Sequence, residues 1–124
     1  NLIPFIFYLG AIFWTLGYDT IYGYQDINDD EIIGLKSTSI KFKAKPYFFL
    51  ITCYLILFFI IVLLGMLNKF NIMYYFFCLI IGYHLFFHQL KKVKLNNANS
   101  CLKCFKSNNT LGALVLIGIL IGKV

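Results

Sequence analysis

The sequence predicts an all-α integral membrane helical bundle, and three observations carry that reading. Hydrophobic residues make up 60% of the 124, and the mean hydropathy is +0.80. Uncharged runs approach or exceed the ~18 residues that mark a helix able to cross a bilayer. Charge is also segregated. The five acids, Asp19, Asp26, Asp29, Asp30 and Glu31, fall between positions 19 and 31, and all eleven lysines lie outside that stretch. By length the chain is about one domain, but this composition excludes a soluble one.

Residues 1–24 are apolar and aromatic, interrupted by Gly10 and Gly17, and predict a spanning helix, or the back part of one, that runs into the acidic stretch. Residues 25–46 read as a polar loop holding four acids and Lys36, Lys41, Lys43 and Lys45. Residues 47–67 carry no charge and predict a spanning helix. Residues 68–71 suffice only for a tight turn, and 72–90 predict a second long span. Residues 91–109 read as a polar loop with five lysines and no acid. Residues 110–124 predict a fourth helix, either a short tilted span or one that the end of the sequence cuts off, because its apolar part falls below the ~20 residues that a crossing at about 1.5 Å per residue requires. The chain opens on Asn1 with no readable leader, and the sequence is expected to be part of a longer one. The whole reads as a single transmembrane unit.

The formal net charge is +6. Its lysines sit at predicted helix ends, where a basic excess reports orientation, and no basic patch with interleaved aromatics stands free of the helices. Nucleic acid is therefore not expected as a partner; the lipid bilayer is. The two large loops share one side and hold nine lysines, against Lys69 in the opposite turn. The positive-inside tendency places both loops, with the acids, in the cytoplasm. Tyr47, Tyr74 and Tyr75 suit the aromatic belts of a membrane interface. Cys53 and Cys78 read as small hydrophobes. Cys101 and Cys104 form a lone C-x2-C without a second pair, a poor zinc site. His84 and His88, four apart and without a carboxylate companion, read as packing residues. No phosphate-cradling glycine loop and no nucleophile elbow is present.

Placed on one helix, Asp19, Tyr22, Asp26 and Asp30 step by three, four and four, and share a face. Like charges at i, i+4 repel, so a cation between Asp26 and Asp30 is the natural remedy. Magnesium suits it, being held by one or two carboxylates plus substrate phosphates. Asp26 and Asp30 are thus the candidate metal ligands; Asp29 and Glu31 read better as solvated acids. Asp19 follows closely behind an apolar helix, where an ionisable group is expected to face a cavity or partner; the alternative is an acid already solvated at the interface. Lys36, beside two hydroxyls, could hold a diphosphate as a point charge, or serve topology only. Tyr22 shares the acidic face and could offer its ring to a cation. Lys103, Lys106, Ser107 and Asn108 form a smaller basic and polar group that could touch a second phosphate.

Tyr18-Asp19-Thr20-Ile21-Tyr22, then Gln25-Asp26, Asp29-Asp30 and Ile33-Gly34-Leu35-Lys36-Ser37-Thr38, closely resembles the second aspartate-rich motif of the UbiA-type membrane prenyltransferases. The run Cys101 to Asn108 is similar to the branch of that family that prenylates 4-hydroxybenzoate in ubiquinone synthesis. The resemblance covers essentially the whole chain, as the C-terminal portion of a nine-helix protein. It implies a Mg²⁺-dependent intramembrane enzyme whose partners are a polyprenyl diphosphate and 4-hydroxybenzoate, in a bacterial inner membrane. Asp26 and Asp30 would match the family's Asp-x-x-x-Asp, with Asp19 and Tyr22 on the same wall and Lys36 behind. The family's first motif, Asn-Asp-x-x-Asp-x-x-x-Asp, has no match here, so this segment alone is expected to be inactive. Another aromatic or tetrapyrrole acceptor stays open, as does a non-catalytic membrane subunit or transporter fragment.

Overall fold

The structure, a computed structural model, describes residues 2–123; Asn1 and Val124, at the ends of the first and last expected helices, lie outside the described residues. Among the described residues there is no strand. Helix α1 is Ile3–Gly23, followed by two short helices, α2 (Ile27–Ile32) and α3 (Thr38–Lys41). Helix α4 is Pro46–Leu67, opening on a proline at its first turn, where the missing N–H costs nothing. Helix α5 is Ile72–Tyr83 and passes without a break into a π-helical tail, His84–Leu90. Helices α6 (Ala98–Lys106) and α7 (Asn108–Lys123) follow, separated only by Ser107.

Among the described residues, three helical stretches are long and apolar enough to cross a membrane: Pro46–Leu67, Ile72–Leu90 and Ala98–Lys123. Helix α1, 21 residues long, is not among them, because Tyr8, Trp14, Tyr18 and Asp19 dilute its apolar run. The last span corrects the expected short helix at 110–124. Its missing length comes from within the segment read as the loop 91–109, where only 91–97 and Ser107 are non-helical. No proline or glycine interrupts 91–111, and Asn97 caps the new helix by accepting from the Ser100 N–H at 3.2 Å. The loop 25–46 likewise contains α2 and α3.

Helix α1 lies along α4, α7 along α5, and α6 crosses onto α1. Apolar side chains gain little by leaving lipid for each other, so membrane helices associate through close backbone approach and interhelical hydrogen bonds. Gly118 and Gly122 on α7 show the first device. A Cβ at Gly118 would stand 3.1 Å from Phe77 Cβ, and one at Gly122 3.0 Å from Tyr74 Cβ. The turn between α4 and α5 is tied to the same end of α7 by Asn71, whose N–H donates to Gly122 O at 3.1 Å. Tyr74 is not a belt residue. It is 2% exposed, and its hydroxyl donates to Ile61 O at 2.6 Å.

The second device is a buried network at the centre of the bundle. Asn108 Oδ1 accepts from Trp14 Nε1 at 2.8 Å and from Gln89 Nε2 at 3.0 Å. Gln89 Oε1 accepts from the Tyr54 hydroxyl at 2.6 Å. Gln89 Nε2 also stands 3.3 Å from His84 Nδ1. Gln89 and Tyr54 are fully buried. The network therefore joins α1, α4, the π-helical tail of α5 and the start of α7.

Candidate functional site

The acidic stretch does not form one continuous helix. Helix α1 stops at Gly23, and Asp26 stands at the N-cap of α2 with φ −118°. The expected single face bearing Asp19, Tyr22, Asp26 and Asp30 is thus divided between two helices. Electrostatics explains the break. Continuing α1 would crowd four acids at its negative C-terminal end, whereas restarting places Asp29 and Asp30 in the first turn of α2, where carboxylates are favoured.

The division leaves two pairs. Asp19 and Tyr22 share the last turns of α1. Asp26 and Asp30 occupy successive turns of α2, joined by the Asp30 N–H to Asp26 C=O bond at 2.8 Å. Asp19, Asp26 and Lys36 are exposed, and Asp30 is half-buried. Among the described residues none of these four side chains forms a hydrogen bond or ion pair. Glu31 differs, pairing with Lys43 and tying α2 to the chain beyond α3. No group of three or more His, Cys, Asp or Glu side chains converges on a metal position among the described residues. Two unengaged carboxylates one turn apart nevertheless fit a hard divalent cation that draws its remaining ligands from water and a phosphate.

A polar clamp fixes the excursion that carries these acids. Thr38 and Thr20 hydroxyls lie 2.5 Å apart. Thr20 donates its proton to Leu16 O at 2.6 Å, so Thr38 is the donor between the two. Ser39 donates to Thr20 O at 2.7 Å. Gly23 makes the approach possible, since a Cβ there would run into Ser39 Oγ. Lys36 therefore stands just before a rigid anchor: Ser37 caps α3 by accepting from Ile40 N–H at 3.3 Å. Gly34, at φ +77°, provides the left-handed turn between α2 and that anchor.

Tyr22 belongs to an aromatic strip. Its ring centroid is 4.5 Å from that of Phe105 on α6, and Tyr18 meets the same ring at 5.5 Å. Trp14 continues the strip at 5.9 Å from Tyr18. Further along α1, an apolar cleft of about 70 Å³ opens between α1, α4 and α7, lined by Gly10, Ala11, Trp14, Leu57 and Leu111 among others. Beside the acidic excursion lies Tyr24, whose hydroxyl is buried without a hydrogen-bond partner. Burial, reinforced by neighbouring Cys101 and Tyr47, raises its pKa above the ordinary 10.0.

Two members of the expected basic and polar group on α6 are engaged elsewhere. Asn108 is the hub of the buried network, and Ser107 Oγ donates to Cys104 O at 2.6 Å. Only Lys103 and Lys106 remain exposed. His84 and His88 stack on one another at 4.8 Å, a packing role. All four cysteines are buried and free. Ser39, Gly23 and Phe105 were not legible as site residues; the Lys-Ser-Thr-Ser run was the nearest signal.

An all-helical chain with three stretches long and apolar enough to cross a bilayer defines a class: an integral membrane protein. Comparison with known proteins makes the assignment specific. The chain belongs to the UbiA prenyltransferase family, whose profile matches residues 1–117. It is 37% identical over 117 residues to a Mus musculus protein named 4-hydroxybenzoate polyprenyltransferase, mitochondrial, covering 94% of this chain and 31% of the relative. A Dictyostelium discoideum protein of the same name is 38% identical over 94% of this chain and 25% of its own length. A Psychromonas ingrahamii 4-hydroxybenzoate octaprenyltransferase is 33% identical over 98% of this chain and 43% of its own length. The chain thus spans less than half the length of these relatives. No solved structure matches it significantly.

Proposed function

We propose that this segment forms one wall of the active site of a Mg²⁺-dependent prenyltransferase that attaches a polyprenyl group to the ring of 4-hydroxybenzoate, in the pathway to ubiquinone. The observation that carries the reading is the pair of unengaged carboxylates, Asp26 and Asp30, on successive turns of a helix whose neighbouring acid, Glu31, is already paired. Names of relatives on both the mitochondrial and the bacterial side agree on the acceptor. The bacterial inner membrane is the proposed address, with a mitochondrial membrane as the alternative that those names support.

In this reading Asp26 and Asp30 hold the divalent ion, and Lys36 sets its ammonium against the diphosphate as a point charge. Bound there, Mg²⁺ would neutralise charge that develops on the departing diphosphate. The allylic C–O bond breaks, a C–C bond forms ortho to the acceptor's hydroxyl, and the ring loses a proton. Tyr22 presents its π-face to the positive charge on the prenyl carbon, and Phe105 holds that ring in place. Asp19, one turn earlier, keeps the same mouth anionic. The apolar cleft beside Trp14 suits an isoprenoid chain, because it lies along α1 on the bilayer side of Asp19. The opposing wall would come from the rest of the longer protein.

Orientation follows from the lysines. Nine lie at the end of the bundle that carries the acids; Lys69 and Lys123 lie at the other, which Asn71 and Gly122 join. That asymmetry supports a cytoplasmic, or matrix-side, acidic mouth. The test is a prenylation assay of the full-length membrane protein with and without magnesium. Activity should vanish on chelation and return with added Mg²⁺. Prenyl transfer that persists in chelator, or in D26A and D30A together, would overturn the assignment.

A further inference from the structure

The acids do not account for the chain's other concentration of charge. Lys91, Lys92 and Lys94 follow the π-helical tail of α5, and Lys103 and Lys106 project from α6. Two adjoining hollows open among them. One is lined by Lys92, Lys94, Asn97, Ser100, Lys103 and Lys106; the other by His88, Lys92, Ser100, Lys103 and their apolar neighbours. Lys92, Ser100 and Lys103 belong to both, so two lysines and one serine line a shared rim. The hydroxyl has a proton to give: Ser100 Oγ accepts from the Lys94 N–H at 2.9 Å, which leaves its hydrogen free for an acceptor. Among the described residues no acid pairs with these lysines; the acids all lie between 19 and 31.

Position selects the ligand. The span Ile72–Leu90 ends and the span Ala98–Lys123 begins on either side of this hollow. It therefore sits where two helices meet the headgroup layer. Deeper in the same span, the exposed rings of Tyr83 and Phe87 stack at 5.5 Å, with Lys91 Nζ, which lines neither hollow, 5.7 Å over Phe87. Charge above and apolar rings below match an amphiphile better than a soluble anion. Lysines counted only for orientation need no shared rim.

We propose that Lys92, Lys103 and Ser100 bind the phosphate of an anionic phospholipid drawn from the surrounding bilayer. The ammonium groups neutralise the phosphate in the screened field of the interface, and the serine adds one directed hydrogen bond. This inference rests on the helices spanning a bilayer and is independent of the catalytic reading.

The experiment uses the full-length protein in a neutral detergent, with fluorescently labelled phosphatidylglycerol and phosphatidylcholine as probes. Phosphatidylglycerol should bind with about a tenfold or greater preference, which K92Q/K103Q abolishes. K41Q/K45Q, which removes equal charge elsewhere, should leave it intact. S100A keeps every charge and the fold's lysines, and should weaken binding by about threefold; it decides the matter if the double variant misfolds. Unlabelled phosphatidylglycerol should displace the probe, and inorganic pyrophosphate should not. Equal binding of the two lipids overturns the proposal, as does equal loss in K41Q/K45Q, full binding in S100A, or displacement by pyrophosphate, which would mark a site for soluble phosphates.

Discussion

The two polar assemblies of this chain use their groups in opposite ways. At the centre of the bundle, Trp14, Tyr54, His84, Gln89 and Asn108 exchange hydrogen bonds among four helical segments. At the end of α1, Asp19, Asp26 and Asp30 have no partner among the described residues, although Thr20 and Ser39 beside them are bonded at 2.5 to 2.7 Å. Amides buried in an apolar bundle must be satisfied, because an orphaned polar group there is costly. Carboxylates left exposed at the end of the bundle carry no such penalty, and stay available to a ligand. Structural and candidate binding groups are thus separated by residue, at sites only a few helical turns apart along α1.

The largest effect should come from breaking the free side of this contrast. In the full-length protein, D30N removes a charge proposed to hold metal while keeping the side chain's size. Activity should fall on the order of 10²–10³-fold, the scale of deleting one preorganised electrostatic contact. Stability should stay within about 0.5 kcal/mol, as for most surface changes. E31Q, one position away, loses only an exposed pair with Lys43 and should retain activity within about twofold, since such pairs contribute little. Equal activity in the two variants would erase the distinction between engaged and free acids.

Breaking the satisfied side should reverse the pattern. Q89L leaves Tyr54 without its acceptor and Asn108 Oδ1 with Trp14 as its one remaining donor. The loss should be about 1–3 kcal/mol of stability, read as a lower unfolding temperature in detergent, with Mg²⁺ dependence unchanged. A cycle with Y54F should return a coupling of about 0.6 kcal/mol and under about 1.7, the range of interhelical bonds in membranes. A coupling of zero would mean that the two side chains merely adjoin.

Much of this was readable from the residues, and the failures are physical. The long uncharged runs give α4 and the α5 span directly, because nothing competes with helix in an apolar segment without water. The acids suggested a candidate chemistry, but their spacing gave the wrong local geometry. Periodicity treats residues 19–30 as one helix, whereas the dipole and the repulsion among four carboxylates favour a stop at Gly23 and a fresh start at Ile27. Segment 98–106 was read as loop from its polarity, yet Cys101, Cys104 and Asn108 repeat at helical spacing and mark an inward face. Gln89 and Phe105 gave no signal alone, since their meaning lies in partners 35 and 83 residues distant.

The clamp under the acidic excursion links the two assemblies, and Gly23 tests it. A methyl group at Gly23 meets Ser39 Oγ, so G23A should push Ser39 off Thr20 O and cost about 1–2 kcal/mol. The Michaelis constant for the prenyl diphosphate should rise about fivefold as Lys36 loses its anchor, a loss of roughly 1 kcal/mol of binding. S39A in the same chain removes the colliding oxygen and should restore part of both. If the double variant is worse than G23A alone, the clamp acts through something other than this contact.

Tyr24 offers the smallest and cleanest test, because it sits on the free side but is buried like the network. Its hydroxyl has no partner, so replacing it with hydrogen removes an unsatisfied group instead of a bond. Y24F should be neutral or stabilising by up to about 1 kcal/mol. The sign with pH follows from the raised pKa. The folded state holds the neutral phenol above its ordinary value of 10.0, so stability is intact below that pH. It falls as the pH passes 10.0, where the unfolded chain releases a proton that the folded one keeps. Y24F should abolish that alkaline component and leave the neutral-pH transition where it was, or slightly higher. A destabilised Y24F at neutral pH would show that the phenol oxygen has a partner after all, and would move Tyr24 from the free assembly to the satisfied one.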